Sequence, residues 1–258
     1  MTASYFDGRA GRYAGADWHV RYAERLVELA ALPPGGHVLD AATGTGFAAV
    51  AAARAVGPAG RVVGVDVSAG MLAQAGRLGA GLPNVTYEQG DVLRLDRFDE
   101  GTFDAVICSA GMLYLPVEDA LAAWHRVLKP GGLVGFSAMR AGFPVMARLF
   151  RARAAELGLD LRDPMEALGD ERRCAAALTR AGFTSVRTVL GEVVLPRSGE
   201  EDEEQVWRIY SRSPHYPEVG TLGSEDLSVL RARFLGDVRR LDGEISSRAP
   251  VVYAFGHR

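Results

Sequence analysis

The chain has 258 residues, enough for one α/β domain with some added elements. Hydrophobic residues make up 48% and charged residues 24%, which excludes a disordered or fibrous chain. The formal net charge of −3 excludes a general attraction to nucleic-acid phosphate, and no run approaches the ~18 uninterrupted apolar residues of a membrane span.

The chain begins with a polar, glycine-rich stretch that lacks the apolar segment of a signal peptide, so a cytoplasmic location is expected. Trp18–Ala31 reads as an amphipathic helix stopped by Pro33-Pro34-Gly35-Gly36. Strands are predicted at His37–Ala41, Arg61–Val65, Val85–Glu88, Phe103–Cys108, Leu133–Ala138, Ser185–Leu195 and Val251–Gly256. Helical patterns fall between them at Gly46–Val56, Ala69–Leu78, Val117–Leu128 and Glu166–Ala181. This alternation predicts an α/β fold with a Rossmann-like, doubly wound and mostly parallel sheet. Two segments stand outside the alternation, 1–35 and 197–245; the second carries helix-like stretches at Glu201–Arg212 and Ser224–Leu241. They are expected to form a helical cap on a single domain spanning 1–258.

The strongest chemical signal starts at Val38, in V-L-D-A-A-T-G-T-G-F-A-A. A strand ends in Asp40, turns through Gly44-Thr45-Gly46 and enters an alanine-rich helix. Glycines serve where a ligand meets the backbone or φ is positive, and the helix start offers free N–H groups. Gly44-x-Gly46-x-x-Ala49 also fits a dinucleotide fold, so later features must separate the two. Asp66 ends the second strand, where a carboxylate can hold both ribose hydroxyls of an adenosine. Gly90-Asp91-Val92 follows the third strand and can read and cover an adenine. Leu128-Lys129-Pro130-Gly131-Gly132 turns into the fifth strand. The carboxylate four residues before Gly44 and the last two features argue against a nicotinamide-dependent oxidoreductase. So does the absence of a Tyr-x-x-x-Lys pair, since the only lysine, Lys129, has His125 four residues before it.

On these motifs the sequence resembles the class I S-adenosylmethionine-dependent methyltransferases. Within them it is similar to the branch of quinone-biosynthesis enzymes and bacterial natural-product enzymes. The resemblance implies a seven-stranded sheet whose last strand is antiparallel. It assigns Asp40, Gly44 and Gly46 to the methionine end of the cofactor S-adenosylmethionine, Asp66 to the ribose, and Val67 and Met71 to the adenine face. Asp91 would accept from the adenine amino group and Val92 would cover the ring. Ser109 and Ala110 would line the methionine amino group, and Tyr13 would close over the cofactor. One departure is Ala41-Ala42-Thr43 where many relatives have a glycine–cysteine or alanine–cysteine pair.

Methyl transfer to a protonated acceptor requires a general base. His37, before the first strand, is expected at the surface, and His125 and His257 are set aside by position. His19 and His215, one in each cap segment, are the candidate catalytic residues, with Tyr22, Trp207 and Tyr210 as candidate substrate walls. No metal site is expected: the acidic run Glu200–Glu204 reads as the first turn of a helix, favoured by its dipole. Cys108 and Cys174 suggest neither a disulfide framework nor a metal cluster, and Cys108, in an apolar strand-like run, reads as a small core residue and not as a nucleophile. The expected function is methyl transfer to O, N or C of a small hydrophobic molecule in secondary metabolism, by a monomer or homodimer, with S-adenosylhomocysteine as product. Use of the same cofactor for cyclisation or rearrangement is the alternative.

Overall fold

The computed structural model describes residues 3–8, 10–13, 17–195, 202–241 and 248–258, with the side chains of Arg12, Tyr13 and Asp17 outside that description. Its strands are β1 (His37–Ala41), β2 (Arg61–Asp66), β3 (Val85–Gln89), β4 (Phe103–Cys108), β5 (Leu128–Met139), β6 (Thr184–Val194) and β7 (Arg248–His257). They form one sheet in the order β3-β2-β1-β4-β5-β7-β6. β1 pairs in parallel with β2 and β4, β2 with β3, and β4 with β5. β7 runs against β5: Gly131 N–H donates to the Arg258 carbonyl at one end, and Arg140 N–H donates to the Pro250 carbonyl at the other. The chain order reverses between β1 and β4. In doubly wound sheets that reversal leaves a crevice at the carboxyl ends of the strands.

The helices are α1 (Ala3–Asp7), α2 (Ala10–Tyr13), α3 (Asp17–Ala30), α4 (Phe47–Val56), α5 (Ala69–Leu78), α6 (Val117–Val127), α7 (Val145–Ala155), α8 (Glu171–Arg180), α9 (Glu203–Ser211) and α10 (Ser224–Val238). α3 packs on α4 and α4 on α5, while α6 packs on α8. The near-continuous apolar runs of the central strands explain why they sit between helical layers: Val38, Leu39, Ala105, Val106 and Ile107 are all fully buried.

Three local features differ from the sequence reading. The helix expected over Glu166–Ala181 is split, because Asp170 takes an extended backbone and its carboxylate accepts the N–H of Arg173 at 2.8 Å, starting α8 afresh. β5 begins at Leu128 rather than Leu133, since the Lys-Pro-Gly-Gly turn also pairs with the last residue of the chain. α7 was not anticipated; it starts behind Pro144 with no side-chain cap.

The chain divides into two compact units. The first comprises Met1–Ala138, Asp170–Leu190 and Val252–Arg258, and the second Met139–Gly169 and Gly191–Val251. The second has its own core, in which Phe150, Tyr210, Tyr216 and Phe234 are buried together and Trp207 packs beside them. Ring centroids there lie 5.1 Å apart for Phe150–Phe234 and 5.7 Å for Phe150–Tyr210, spacings at which aromatic pairs attract.

Candidate functional site

β1 carries Asp40 to the reversal point and leaves it 1% exposed. Thr43 donates its hydroxyl to Asp40 Oδ2 at 2.6 Å, while Oδ1 is buried without a hydrogen-bond partner among the described residues. Burial drives the Asp40 carboxyl up to about 7; the Thr43 hydroxyl and the nearby Ala49 N–H pull it down, and the charge of Asp66 adds to the rise. An acceptor in this state is suited to a cationic donor.

The turn that follows explains its residues. Gly44 has φ +54° and Gly46 φ +88°, both in the region that side chains disfavour. A Cβ on Gly46 would lie 2.9 Å from both Ala75 Cβ and the Tyr87 hydroxyl, so glycine is also needed for packing. At Gly44 a Cβ would meet nothing within 4 Å; the backbone there faces open space. Gly46 is the N-cap of α4 and has no side chain to bond it, while the Ala49 N–H in the first turn faces the Asp40 carboxyl.

Asp66, at the end of β2, closes over the same turn. Its Oδ2 accepts the Gly44 N–H at 2.9 Å and its Oδ1 accepts the Ser68 N–H at 2.9 Å. Burial raises its carboxyl, opposed by N–H groups of Ser68, Gly44 and Val67. Each oxygen keeps a lone pair for a further donor. Ser68 caps α5 by accepting the Met71 N–H at 3.1 Å, which buries Met71. Val67 is half-buried beside it.

Asp91 is exposed and folds onto its own turn, accepting the Leu93 N–H at 2.9 Å. Val92 is buried and its carbonyl accepts the Trp124 indole N–H at 3.1 Å. A cavity of about 280 Å³ is lined by Val65, Gly90, Asp91, Arg94, Leu95 and their neighbours. Ser109 and Ala110, half-buried, follow β4 on the other side of the reversal. Asp40, Gly44, Gly46, Asp66, Asp91, Ser109 and Ala110 thus all sit at or just past the carboxyl ends of β1 to β4. The side chain of Tyr13 lies outside the described residues.

Two features of the site carry no signal in the sequence. Asp7, on α1, accepts the Ser68 hydroxyl at 2.6 Å and the Gly70 N–H at 2.9 Å, and Phe6 meets Tyr114 edge-on at 5.0 Å. The first contact ties α1 to the start of α5 and the second to the turn after β4. The other is two of the three left-handed alanines among the described residues, Ala42 (φ +56°) and Ala110 (φ +55°), placed after β1 and β4. Such backbone strain concentrates at functional sites.

The residues proposed for the substrate side fall on both units. His19, on α3, is half-buried with its ring 3.5 Å from that of Trp18. Tyr22 is 1% exposed, packs on Tyr253 at 5.9 Å and has its hydroxyl bonded to Ser137, so it stands in the core of the first unit. In the second unit, Trp207 and Tyr210 belong to the aromatic core, Tyr210 nearly fully buried. His215 follows α9, and burial holds its imidazole below the ordinary histidine value. His37, expected at the surface, is half-buried against Phe103 at 4.5 Å. The acidic run does open a helix: Asp202 caps α9, and Glu203 and Glu204 lie in its first turn. Glu200 and Glu201 lie outside the described residues.

A reversed parallel sheet, two buried strand-end carboxylates and a glycine turn at a helix start are the features by which doubly wound domains hold an adenosine-bearing cofactor. Residues 38–132 match the family described as Methyltransferase domain. By that match, the strand order and the motif order, the chain is similar to class I S-adenosylmethionine-dependent methyltransferases. Demethylmenaquinone methyltransferase of Staphylococcus aureus is 36% identical over 117 residues, which are 45% of this chain and 48% of the relative. The chain therefore spans about half the length of the curated relatives it matches. The YcgJ protein of Bacillus subtilis has the same fold, with a TM-score of 0.60 at 18% identity over 92% of this chain and 98% of that one. So has phosphoethanolamine N-methyltransferase 2 of Haemonchus contortus, solved with S-adenosyl-L-methionine, at TM-score 0.55 and 17% identity over 94% of this chain and 52% of that one.

The residues present fit such a cofactor. Asp40 offers a buried acceptor without a partner, Gly44 faces open space, and the N-cap of α4 is a glycine. Among the described residues, no helix is long and apolar enough to cross a membrane.

Proposed function

We propose that the protein is an S-adenosylmethionine-dependent methyltransferase that moves a methyl group to oxygen, nitrogen or carbon of a small hydrophobic molecule in secondary metabolism. The observation that carries this reading is the convergence of Asp40 and Asp66 on the adjacent residues Thr43 and Gly44, where the turn begins. In this reading Asp40 receives the methionine amino group, with Ser109 and Ala110 beside it. Asp66 takes the ribose hydroxyls. Val67, Met71 and Val92 bracket the adenine, Asp91 accepts from its amino group, and Tyr13 closes the site.

The cofactor supplies a methyl on a sulfonium, a leaving group that needs no further activation. What is left for the chain is to align the acceptor, exclude water and remove a proton where the acceptor carries one. His19 and His215 are the proposed bases; burial disfavours the charged imidazolium of His215. Tyr22, in the first unit, and Trp207 and Tyr210, in the second, are the proposed substrate-binding residues. The protein would act in the cytoplasm as a monomer or homodimer.

Calorimetry with S-adenosylmethionine, S-adenosylhomocysteine and NADH tests the reading. Binding of the first two and not the third is expected; NADH binding alone would overturn it. Mass spectrometry of the co-purified small molecule, before and after incubation with S-adenosylmethionine, should show the gain of one methyl. A product rearranged without that gain would replace methyl transfer by the cyclase alternative.

A further inference from the structure

Ala110 holds a left-handed backbone, which an alanine keeps only when its surroundings impose it. Its N–H donates to the hydroxyl of Ser137 at 3.1 Å. Ser137 lies inside β5, 1% exposed, between the buried Phe136 and Ala138. A hydroxyl buried in such an apolar strand is costly unless it is bonded. Here it is bonded twice, because the hydroxyl of the equally buried Tyr22 on α3 also meets it. A chain of buried hydroxyls therefore runs from α3 through β5 to the peptide that follows β4. That peptide is closely fitted: a Cβ on the next residue, Gly111, would stand 2.7 Å from Cys108 Sγ and 3.0 Å from Ala42 Cβ. The loops after β1 and β4 meet at this point.

We propose that Ser137 and Tyr22 are positioning residues that lock the Ser109–Ala110 peptide in the shape that receives the methionine end of the cofactor. Neither side chain touches the cofactor; both act through Ala110. The inference rests on the proposed function, since it assigns these residues a role toward S-adenosylmethionine.

The experiment measures the Kd for S-adenosylhomocysteine by calorimetry, alongside Tm. Ser137→Ala should weaken binding about five- to tenfold, the scale of one lost hydrogen bond that holds a conformation. Adding Ala110→Gly to that variant should restore most of the affinity, because glycine adopts positive φ without support. Tyr22→Phe keeps the ring and should weaken binding about two- to threefold, the upstream hydroxyl being one bond further away. A purely structural role would lower Tm, leave the Kd of Ser137→Ala at the wild-type value, and overturn the proposal. If Ser137→Ala does not fold, Tyr22→Phe decides: weaker binding in a folded protein supports the lock, and unchanged binding overturns it. A wild-type chain that fails to bind S-adenosylhomocysteine would sink the proposed function itself. Normal wild-type binding with an unaltered Ser137→Ala sinks only the lock.

Discussion

In the unit that carries most of the sheet, Asp40, Thr43, Thr45, Asp66, Ser68 and Ser137 are buried polar residues. All but Ser137 cluster at or just past the ends of β1 and β2, and Ser137 bonds the loop after β4. In the other unit, Asp237 is the one buried polar residue among those described, and its carboxylate is met by Arg153 at 2.6 and 3.0 Å and by Arg240 at 2.7 Å. Its remaining interior is the aromatic cluster around Phe150. One unit holds a buried, partly unpaired carboxylate at Asp40 and positive-φ alanines beside it; the other pairs its buried Asp237 carboxylate with two arginines and packs rings. The buried carboxylates and the strained alanines after β1 and β4 thus lie where the cofactor motifs lie, as expected of a site shaped for a ligand.

The largest effect expected from this contrast is on stability. Phe150 is fully buried and touches Trp207, Tyr210, Tyr216 and Phe234, so Phe150→Ala removes the hub of the second core. Urea denaturation should show a loss of about 3–5 kcal/mol, the usual cost of deleting a buried ring. A loss below about 1 kcal/mol would mean that the aromatic cluster is not the core of that unit.

Next comes the glycine turn. Gly46→Ala adds a Cβ 2.9 Å from Ala75 Cβ on a residue with φ +88°. Strain of about 1–3 kcal/mol is expected, with a loss of S-adenosylhomocysteine binding that exceeds the loss of stability. Unfolding curves and calorimetry on the same samples separate the two. Retained affinity would remove the turn from the site.

Much of this contrast was legible in the sequence, for a local reason. The spacing from Asp40 to Gly46 lies within one strand–turn–helix, and each residue there answers to a backbone need that shows in the order of letters. The strand-end carboxylates Asp66 and Asp91 were legible for the same reason. Asp7 was not: its partners Ser68 and Gly70 lie 61 and 63 residues further on, and a lone aspartate in a polar leader carries no sign of them. Tyr210 and Trp207 read as plausible pocket walls, although helix aromatics are usually core; a helical aromatic shows its period and not its partner, so the packing of Phe150 on Trp207 and of Phe234 on Tyr210 had no sign in the sequence. The residues that supply Phe150 escaped notice altogether. α7 opens without a capping side chain and mixes its buried Ala147, Phe150 and Ala154 with arginines at 148, 151 and 153. The positive φ of Ala42 and Ala110 has no sequence signal, since alanine gives no warning of it.

Asp40 gives a smaller effect with a defined sign. Burial raises its carboxyl to about 7 in the folded chain, from 3.8 in an ordinary environment. The folded state therefore holds this proton more tightly than the unfolded one, and the contribution of Asp40 to stability falls as pH rises from about 4 to about 7. Asp40→Asn should flatten that part of the pH–stability profile. Ligand binding runs the other way. If the ionised carboxylate receives the amino group, wild-type affinity for S-adenosylhomocysteine should climb as pH passes through about 7 and then level off, a rise that Asp40→Asn abolishes. An affinity independent of pH over that range would separate Asp40 from the amino group.

The smallest effect concerns the charged rim of the second unit, where Arg231 meets Glu204 at 2.6 Å and Arg239 meets Glu203 at 2.6 Å. These bonds are as short as those inside the sheet-bearing unit, and on distance alone they would rank with them. Their side chains, however, are 43–62% exposed, so water and salt screen the attraction and two long side chains must be ordered to make it. Arg231→Gln should leave Tm within the range of an ordinary surface substitution, and the little it changes should shrink further as salt is added. A large loss that persists in high salt would mean that this unit is held by its charges, and the contrast between an aromatic core and a polar site would need to be redrawn around the rim.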